Sequence, residues 1–222
     1  MKLQHLIQQI WYEPSLITGD GHASIRQLVE HRFGEAAAFE IREPGQGFCG
    51  AKVEVEEMEI VDGIAHIPIG GAIGQKLKPF QRGEGAVDVL EVAEELDLAE
   101  EDDDVRGALI DMDSPGGMYM GTPELATRIE AFSKPIFCFS NGTIASGGYW
   151  LASACDGIFT TGSAWVGSIG VVVPMLDDSA ALAAKGLKVL LVKAGKFKGT
   201  GFPGTSISES QQEYLQARVD EM

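Results

Sequence analysis

Thr143-Ile144-Ala145-Ser146-Gly147-Gly148-Tyr149-Trp150 sets one serine among small residues, and an apolar run follows at Leu151, Ala152 and Ala154. A serine at the start of a buried helix, with glycine on its C-terminal side, can face a cleft. The following N–H groups then point at whatever the hydroxyl attacks. Small residues also gather around a serine where a helix packs closely on a strand. The stretch alone leaves both readings open. Three others bear on the choice: Asp113–Gly117, Gly167–Gly170 and Gly195–Lys198.

Outward from this stretch, strands alternate with helices. Val105–Met112, Ile136–Ser140, Gly157–Thr160, Ser168–Pro174 and Lys188–Val192 read as strands; Pro123–Phe132, Gly147–Ala154 and Ala180–Lys185 read as helices. This order predicts an α/β fold of parallel βαβ units. Upstream, Ala86–Leu98 is helical, with Val87, Leu90, Ala93 and Leu96 on one face. Val53–Val55 alternates like a strand, and Ile60–Ile69 reads as a hairpin turning at Asp62-Gly63. Gly70-Gly71 is expected to break it, and 72–84 lacks a period and reads as a loop. Ser208–Met222 is a helix opened by Ser208 and Gln211; it stops without a C-cap, as in a fragment of a longer protein.

Residues 1–50 read as a helical appendage. It has short periodicity over His5–Tyr12, a second helix from Asp20 or His22 to Val29 or Arg32, and a loop around Pro44–Gly47. The expected division is therefore 1–50 and 51–222, the latter truncated at its C-terminus.

With 222 residues, 45% of them hydrophobic, the chain is long enough for a sizeable core. A net charge of −16 argues against nucleic-acid binding and a polybasic membrane patch. The acidic run Glu91–Asp104 reads as a solvated helix face and loop. Cys49, Cys138 and Cys155 match neither a disulfide framework nor a zinc site, which predicts reduced thiols. His5, His22 and His31 lack a ligand partner at helical spacing, so no metal is expected. The apolar runs are too short to span a bilayer, and Met1–Ile10 lacks the core of a signal peptide. The chain reads as soluble and intracellular.

Asp111–Gly117 follows a strand and precedes a helix, the position where open α/β sheets hold ligands. Its two glycines allow a backbone N–H to approach a substrate carbonyl. A nucleophilic serine also needs a base. All four histidines precede residue 67, so a histidine base would have to be His66, from a strand. The alternative is a lysine kept neutral by burial. Lys196 and Lys198, in Gly195-Lys196-Phe197-Lys198-Gly199, both qualify.

Together, Asp113-Ser114-Pro115-Gly116-Gly117, Ala145-Ser146-Gly147-Gly148-Tyr149, Gly167-Ser168-Ile169-Gly170-Val171 and Gly195-Lys196-Phe197-Lys198 resemble the signal peptide peptidase A family of serine/lysine proteases, in the family's order. The resemblance implies a Clp-protease/crotonase-like fold of repeated ββα/βαβ units. It implies Ser146 as nucleophile and Lys198, three residues beyond Gly195, as general base. Ser168 would hold the lysine amine, and the N–H groups of Gly117 and Gly147 would form the oxyanion hole. No cofactor or metal is implied.

Within the family, Asp62–Gly70, Leu109–Met118 and Tyr12–Leu16 look most like the soluble head-maturation proteases of tailed phages. That likeness implies capsid or scaffold proteins as substrates, a homo-oligomer, no membrane insertion, and a place in the host cytoplasm or procapsid. Val166 stands where the family often has threonine, and Trp165 is bulky; both would reshape the substrate pocket. Three alternatives remain on the sequence: a bacterial soluble protease of the same family, a non-catalytic scaffold, and a crotonase-type acyl-coenzyme A enzyme.

Overall fold

The computed structural model describes residues 15–17, 58–83 and 85–222. The expected helices within 5–32 and the strand at 53–55 lie outside these residues. Two compact units divide the chain, with a boundary between Gly170 and Val171.

The unit ending at Gly170 is built on a mixed sheet. The expected hairpin is present: β2 (Glu59–Val61) pairs antiparallel with β3 (Ile64–Gly74). Asp62 and Gly63 both adopt positive φ, 51° and 75°, as a two-residue type I′ hairpin turn requires. β3 then runs on through the expected break. It pairs in parallel with β5 (Gly107–Met118) from Ile64↔Gly107 to Ile73↔Gly117, with an irregularity between Gly70 and Ala72. Gly71, at φ 71°, absorbs it, and a Cβ there would collide with the Gly85 carbonyl. The glycines thus make a bulge, which bends a strand without ending it.

The expected loop over 72–84 accordingly begins as strand and includes a short helix, α1 (Pro79–Arg82). β4 (Val87–Asp88) pairs in parallel with the end of β3, which delays α2 to Val89–Glu101. Asp88 anchors its start: Oδ1 accepts the Leu90 N–H at 3.1 Å and Oδ2 the Leu77 N–H at 2.6 Å. The buried face of α2 is Val89, Val92, Leu96 and Ala99. That corrects the expected Val87, Leu90, Ala93, Leu96 stripe; Leu90 is 40% exposed.

Beyond β5, α3 (Thr122–Glu130), β6 (Ile136–Ser140), β7 (Thr143–Ala145), α4 (Gly147–Ser153), β8 (Gly157–Thr160) and β9 (Trp165–Gly167) complete the unit. The main order is β2-β3-β5-β6-β8. β3, β5, β6 and β8 run parallel, with α2 between β3 and β5 and α3 between β5 and β6, as the predicted βαβ alternation requires. β7 pairs in parallel with β5 and β9. Neither β4, β7 and β9 nor β1 (Ser15–Ile17) was expected as a strand; β1 lies antiparallel on β5.

Alternate residues of β3 and β5 (Ala65, Ile67, Ile69; Ile110, Met112) are buried and meet Leu96, Ile129 and Leu151 of the helices in one core, the period of two expected for strands. Burial of each of these Ile, Leu and Met side chains contributes about 1.5–3 kcal/mol.

Residues 171–222 contain α5 (Ser179–Ala184) and α6 (Glu209–Asp220). The Asp178 carboxylate accepts the Gly204 N–H at 2.6 Å, and the Gln211 side chain accepts the Ser208 N–H at 2.9 Å at the start of α6. Two expected strands are absent. Strand β9 precedes Ser168–Pro174, and Lys188–Val192 forms no ladder, with Leu190 78% and Val192 99% exposed. An apolar run signals a wish for cover without naming what supplies it. Among the described residues no helix is long and apolar enough to cross a membrane.

Candidate active site

Ser146 is the corner residue between β7 and α4, with φ 53° and ψ −117°. Positive φ on a non-glycine residue costs on the order of 1–3 kcal/mol and survives where its surroundings over-determine it. Here the Ser146 N–H donates to the Gly167 carbonyl at 2.9 Å, and the Ser146 carbonyl accepts the Trp150 N–H at 3.0 Å. The side chain is nearly buried, and its Oγ lies 3.5 Å from the Gly170 carbonyl. A sharp strand–helix corner of this kind can present a hydroxyl for chemistry. The packing explanation of the small residues holds as well: a Cβ on Gly148 would come within 3.3 Å of Ser114 and 3.5 Å of the Met112 sulfur.

Gly117 is brought to the same end of the unit. β5 and β7 run parallel with Ser114 opposite Ile144; Gly117 lies three residues beyond that pair and Ser146 two. The segment Asp113–Gly117 is not the expected turn but the final stretch of β5. Gly116 has φ 95°, and a Cβ on Gly117 would collide with the backbone of Ile73. Both glycines are therefore required by the backbone itself.

Two residues that sequence reasoning quoted without giving them a role hold this end together. Ser114, fully buried, donates from Oγ to the Gly71 carbonyl at 2.6 Å and accepts the Gly116 N–H at 3.1 Å. Asp113 accepts the Thr143 N–H at 2.9 Å and so ties β5 to the start of β7. The signal was available: short polar side chains beside glycines tend to bond the neighbouring backbone.

Gly147 opens α4 and is buried. Ser168, exposed and at φ 55°, follows directly on the Ala145↔Gly167 pair of β7 and β9, as Ser146 does on the other strand. Trp165 and Val166 are 53% and 41% exposed on the same short strand. His66 pairs with Leu109. At roughly 3.3 Å per residue, the eight residues from Leu109 to Gly117 place it on the order of 25 Å from the glycine end. It is no candidate base for Ser146.

Lys198 belongs to the other unit. It lies in a turn whose Gly195 and Gly199 have φ 95° and 79°, and its N–H donates to the Gly195 carbonyl at 3.3 Å. The turn is held against α6. Phe197 stacks on Tyr214 with centroids 4.3 Å apart, Thr200 Oγ1 donates to the Phe197 carbonyl at 2.8 Å, and the Gln211 amide donates to Thr200 Oγ1 at 3.1 Å. Lys196 Nζ sits 4.9 Å from the Phe197 ring centroid. The Lys198 side chain is exposed, so the burial expected around the base is not found. Ser146, Gly117, Gly147 and Ser168 thus share one unit, and Lys198 is carried on the next.

Among the described residues no group of three or more His, Cys, Asp or Glu is placed to hold a metal ion. Cys138 and Cys155 are free thiols. Burial pushes each up to about 12, with Cys155 and Asp111 adding to the effect at Cys138 and Asp156 at Cys155.

The unit thus defines an α/β protein with a strained serine at a strand–helix corner beside a glycine-built strand end. Residues 129–222 match the model of Peptidase family S49, which bears out the resemblance to the signal peptide peptidase A proteases. Capsid assembly protease C of Escherichia phage lambda is 31% identical over 75% of this chain and 38% of its own length. The head-tail preconnector protein GP5 of Enterobacteria phage P21 is 29% identical over 81% and 36%. The chloroplastic serine protease SPPA of Arabidopsis thaliana is 28% identical over 61% and 20%. The chain therefore spans well under half the length of these relatives. Among solved structures, an enoyl-CoA hydratase from Mycobacterium smegmatis is similar over 52% of this chain and 50% of its own, with 15% identity and a TM-score of 0.37.

Proposed function

We propose that this chain is the catalytic part of a serine endopeptidase with a Ser146/Lys198 dyad. The observation that carries this is the strained Ser146 corner at the same sheet end as Gly117. In this reading Lys198, as the neutral amine, takes the proton from Ser146 Oγ as the oxygen attacks a peptide carbonyl. The oxyanion forms against the N–H groups of Gly117 and Gly147, each donor lowering the barrier by roughly 3 kcal/mol. Lys198 then returns the proton to the leaving amine, and water repeats the cycle on the acyl-enzyme. Ser168 orients the amine by a hydrogen bond. Because Lys198 is exposed, substrate binding or assembly must supply the dry surroundings the amine needs.

The substrate is an extended segment of a capsid or scaffold protein, cut during phage head maturation in the host cytoplasm or procapsid, and the enzyme works as a homo-oligomer. The names of the phage relatives support this part of the reading. The test is the pH dependence of cleavage of an unfolded protein. A lysine base requires a rate that rises into the alkaline range; a rate that is flat from about pH 5 to 9 excludes it. Light scattering that finds a monomer at every concentration would remove the oligomer.

A further inference from the structure

β5 has two edges, and both are occupied at its glycine end. On one edge β3 pairs as far as Ile73↔Gly117. On the other, β6 pairs with Ala108–Asp111 and β7 with Ser114. Past Ser114 that second edge is free of both. There β1 lies antiparallel, with Ile17 opposite Gly116, Leu16 opposite Gly117 and Ser15 opposite Met118. This is the edge on which β7 leads into Ser146. We propose that the Gly116–Met118 edge is the track on which a peptide docks as an added antiparallel strand, and that Ser15–Ile17 is its resident occupant. The chain thereby blocks its own site until this segment leaves.

The physical grounds are specific. An open strand edge binds an extended peptide through main-chain hydrogen bonds and accepts many sequences. Gly116 and Gly117 add no side chains to obstruct an approaching backbone. A three-residue strand is short even for an edge strand and is weakly held by itself; as part of the same chain it competes at high effective concentration. Such an occupant excludes free peptide and still can be displaced. The inference rests on the proposed roles of Ser146 and Gly117, but its binding test does not use turnover.

The probe is a fluorescein-labelled synthetic peptide of this chain's residues 12–20, Tyr-Glu-Pro-Ser-Leu-Ile-Thr-Gly-Asp. Its binding is measured by anisotropy to the full chain carrying Ser146→Ala, with and without Leu16→Pro. Proline at 16 removes a donor and disfavours the internal strand. We expect about tenfold tighter binding to the Leu16→Pro chain. Amide exchange across Gly116–Met118 should quicken in that chain and slow again with peptide, while Ile67 and Ile110 stay protected and report an intact core. Equal affinity, or no binding to either chain, together with unchanged exchange at Gly116–Met118, overturns the proposal. Casein cleavage by the chain that keeps Ser146 and carries Leu16→Pro, so that its edge is open, separates the two ideas. Serine-dependent cleavage with equal peptide affinity leaves the protease and removes the resident occupant; tighter binding without any cleavage does the reverse.

Discussion

Ser114 Oγ joins two backbone segments, donating to the Gly71 carbonyl at 2.6 Å and accepting the Gly116 N–H at 3.1 Å. It fixes the β3 bulge against the glycine end of β5, and so fixes where Gly117 points. Ser114→Ala leaves a carbonyl and an N–H without this partner at a fully buried position. A stability loss of about 1–3 kcal/mol is expected in thermal or denaturant unfolding. Cleavage should fall at least tenfold in kcat with little change in KM, because oxyanion geometry matters in the transition state.

The glycines at the end of β3 and β5 are not equivalent. A Cβ at Gly117 meets the Ile73 backbone, whereas one at Gly70 meets nothing within 4 Å. Gly117→Ala should abolish cleavage and lower the melting temperature, and Gly70→Ala should leave both close to the parent. Equal behaviour of the two variants would contradict the close β3–β5 approach.

Acid stability has a named contributor. Glu100 accepts the Ser133 N–H at 2.8 Å, and its carboxylate is paired with Arg128 at 2.6 Å. The hydrogen bonds from Ser133, side chain first, and then those from Arg128 hold it down from the ordinary 4.5 to about 2. A depressed carboxylate stabilises the fold above its unfolded pKa, and that contribution is lost as pH falls through the folded one. Stability should therefore decline between about pH 4.5 and 2. Glu100→Gln should be less stable at neutral pH and show a shallower decline, read by urea unfolding across that range.

Tyr214 stacks on Phe197 at a 9° interplanar angle and steadies the turn that carries Lys198. Tyr214→Ala should slow cleavage about tenfold, while Tyr214→Phe, which keeps the stack, should restore most of the rate. An unchanged rate in Tyr214→Ala would detach α6 from the positioning of the proposed base, Lys198.

Much of the unit ending at Gly170 was legible because local and tertiary preferences agree there. The Asp62-Gly63 turn, the bounds of β6 and β8 and the corner at Ser146 follow from turn chemistry and apolar runs. Where the two disagreed, pairing won. Gly70-Gly71 and Pro115-Gly116-Gly117 look like chain breaks, but the β3–β5 ladder carries both through as strand. Pairing with the end of β3 likewise draws Val87-Asp88 into a strand and moves the buried face of α2. Lys188–Val192 shows the opposite case, an apolar run with no ladder to join. The β1 pairing has no local signature, since three residues matching a distant strand leave no period to read. At the site, Ser146 and the glycines were visible as motifs; Ser114 and Asp113 carried the signal of short polar side chains beside glycines, but their distant partners Gly71 and Thr143 became visible only in the fold.

The most direct measurement of the Ser146/Lys198 dyad is a mass-spectrometric time course. The chain, Ser146→Ala and Lys198→Ala are each incubated with an unfolded protein and with a candidate capsid or scaffold protein. The dyad predicts discrete cleavage products from the parent chain and none from either variant. Cleavage that persists in Ser146→Ala would contradict the nucleophile, and cleavage that persists in Lys198→Ala would contradict the base.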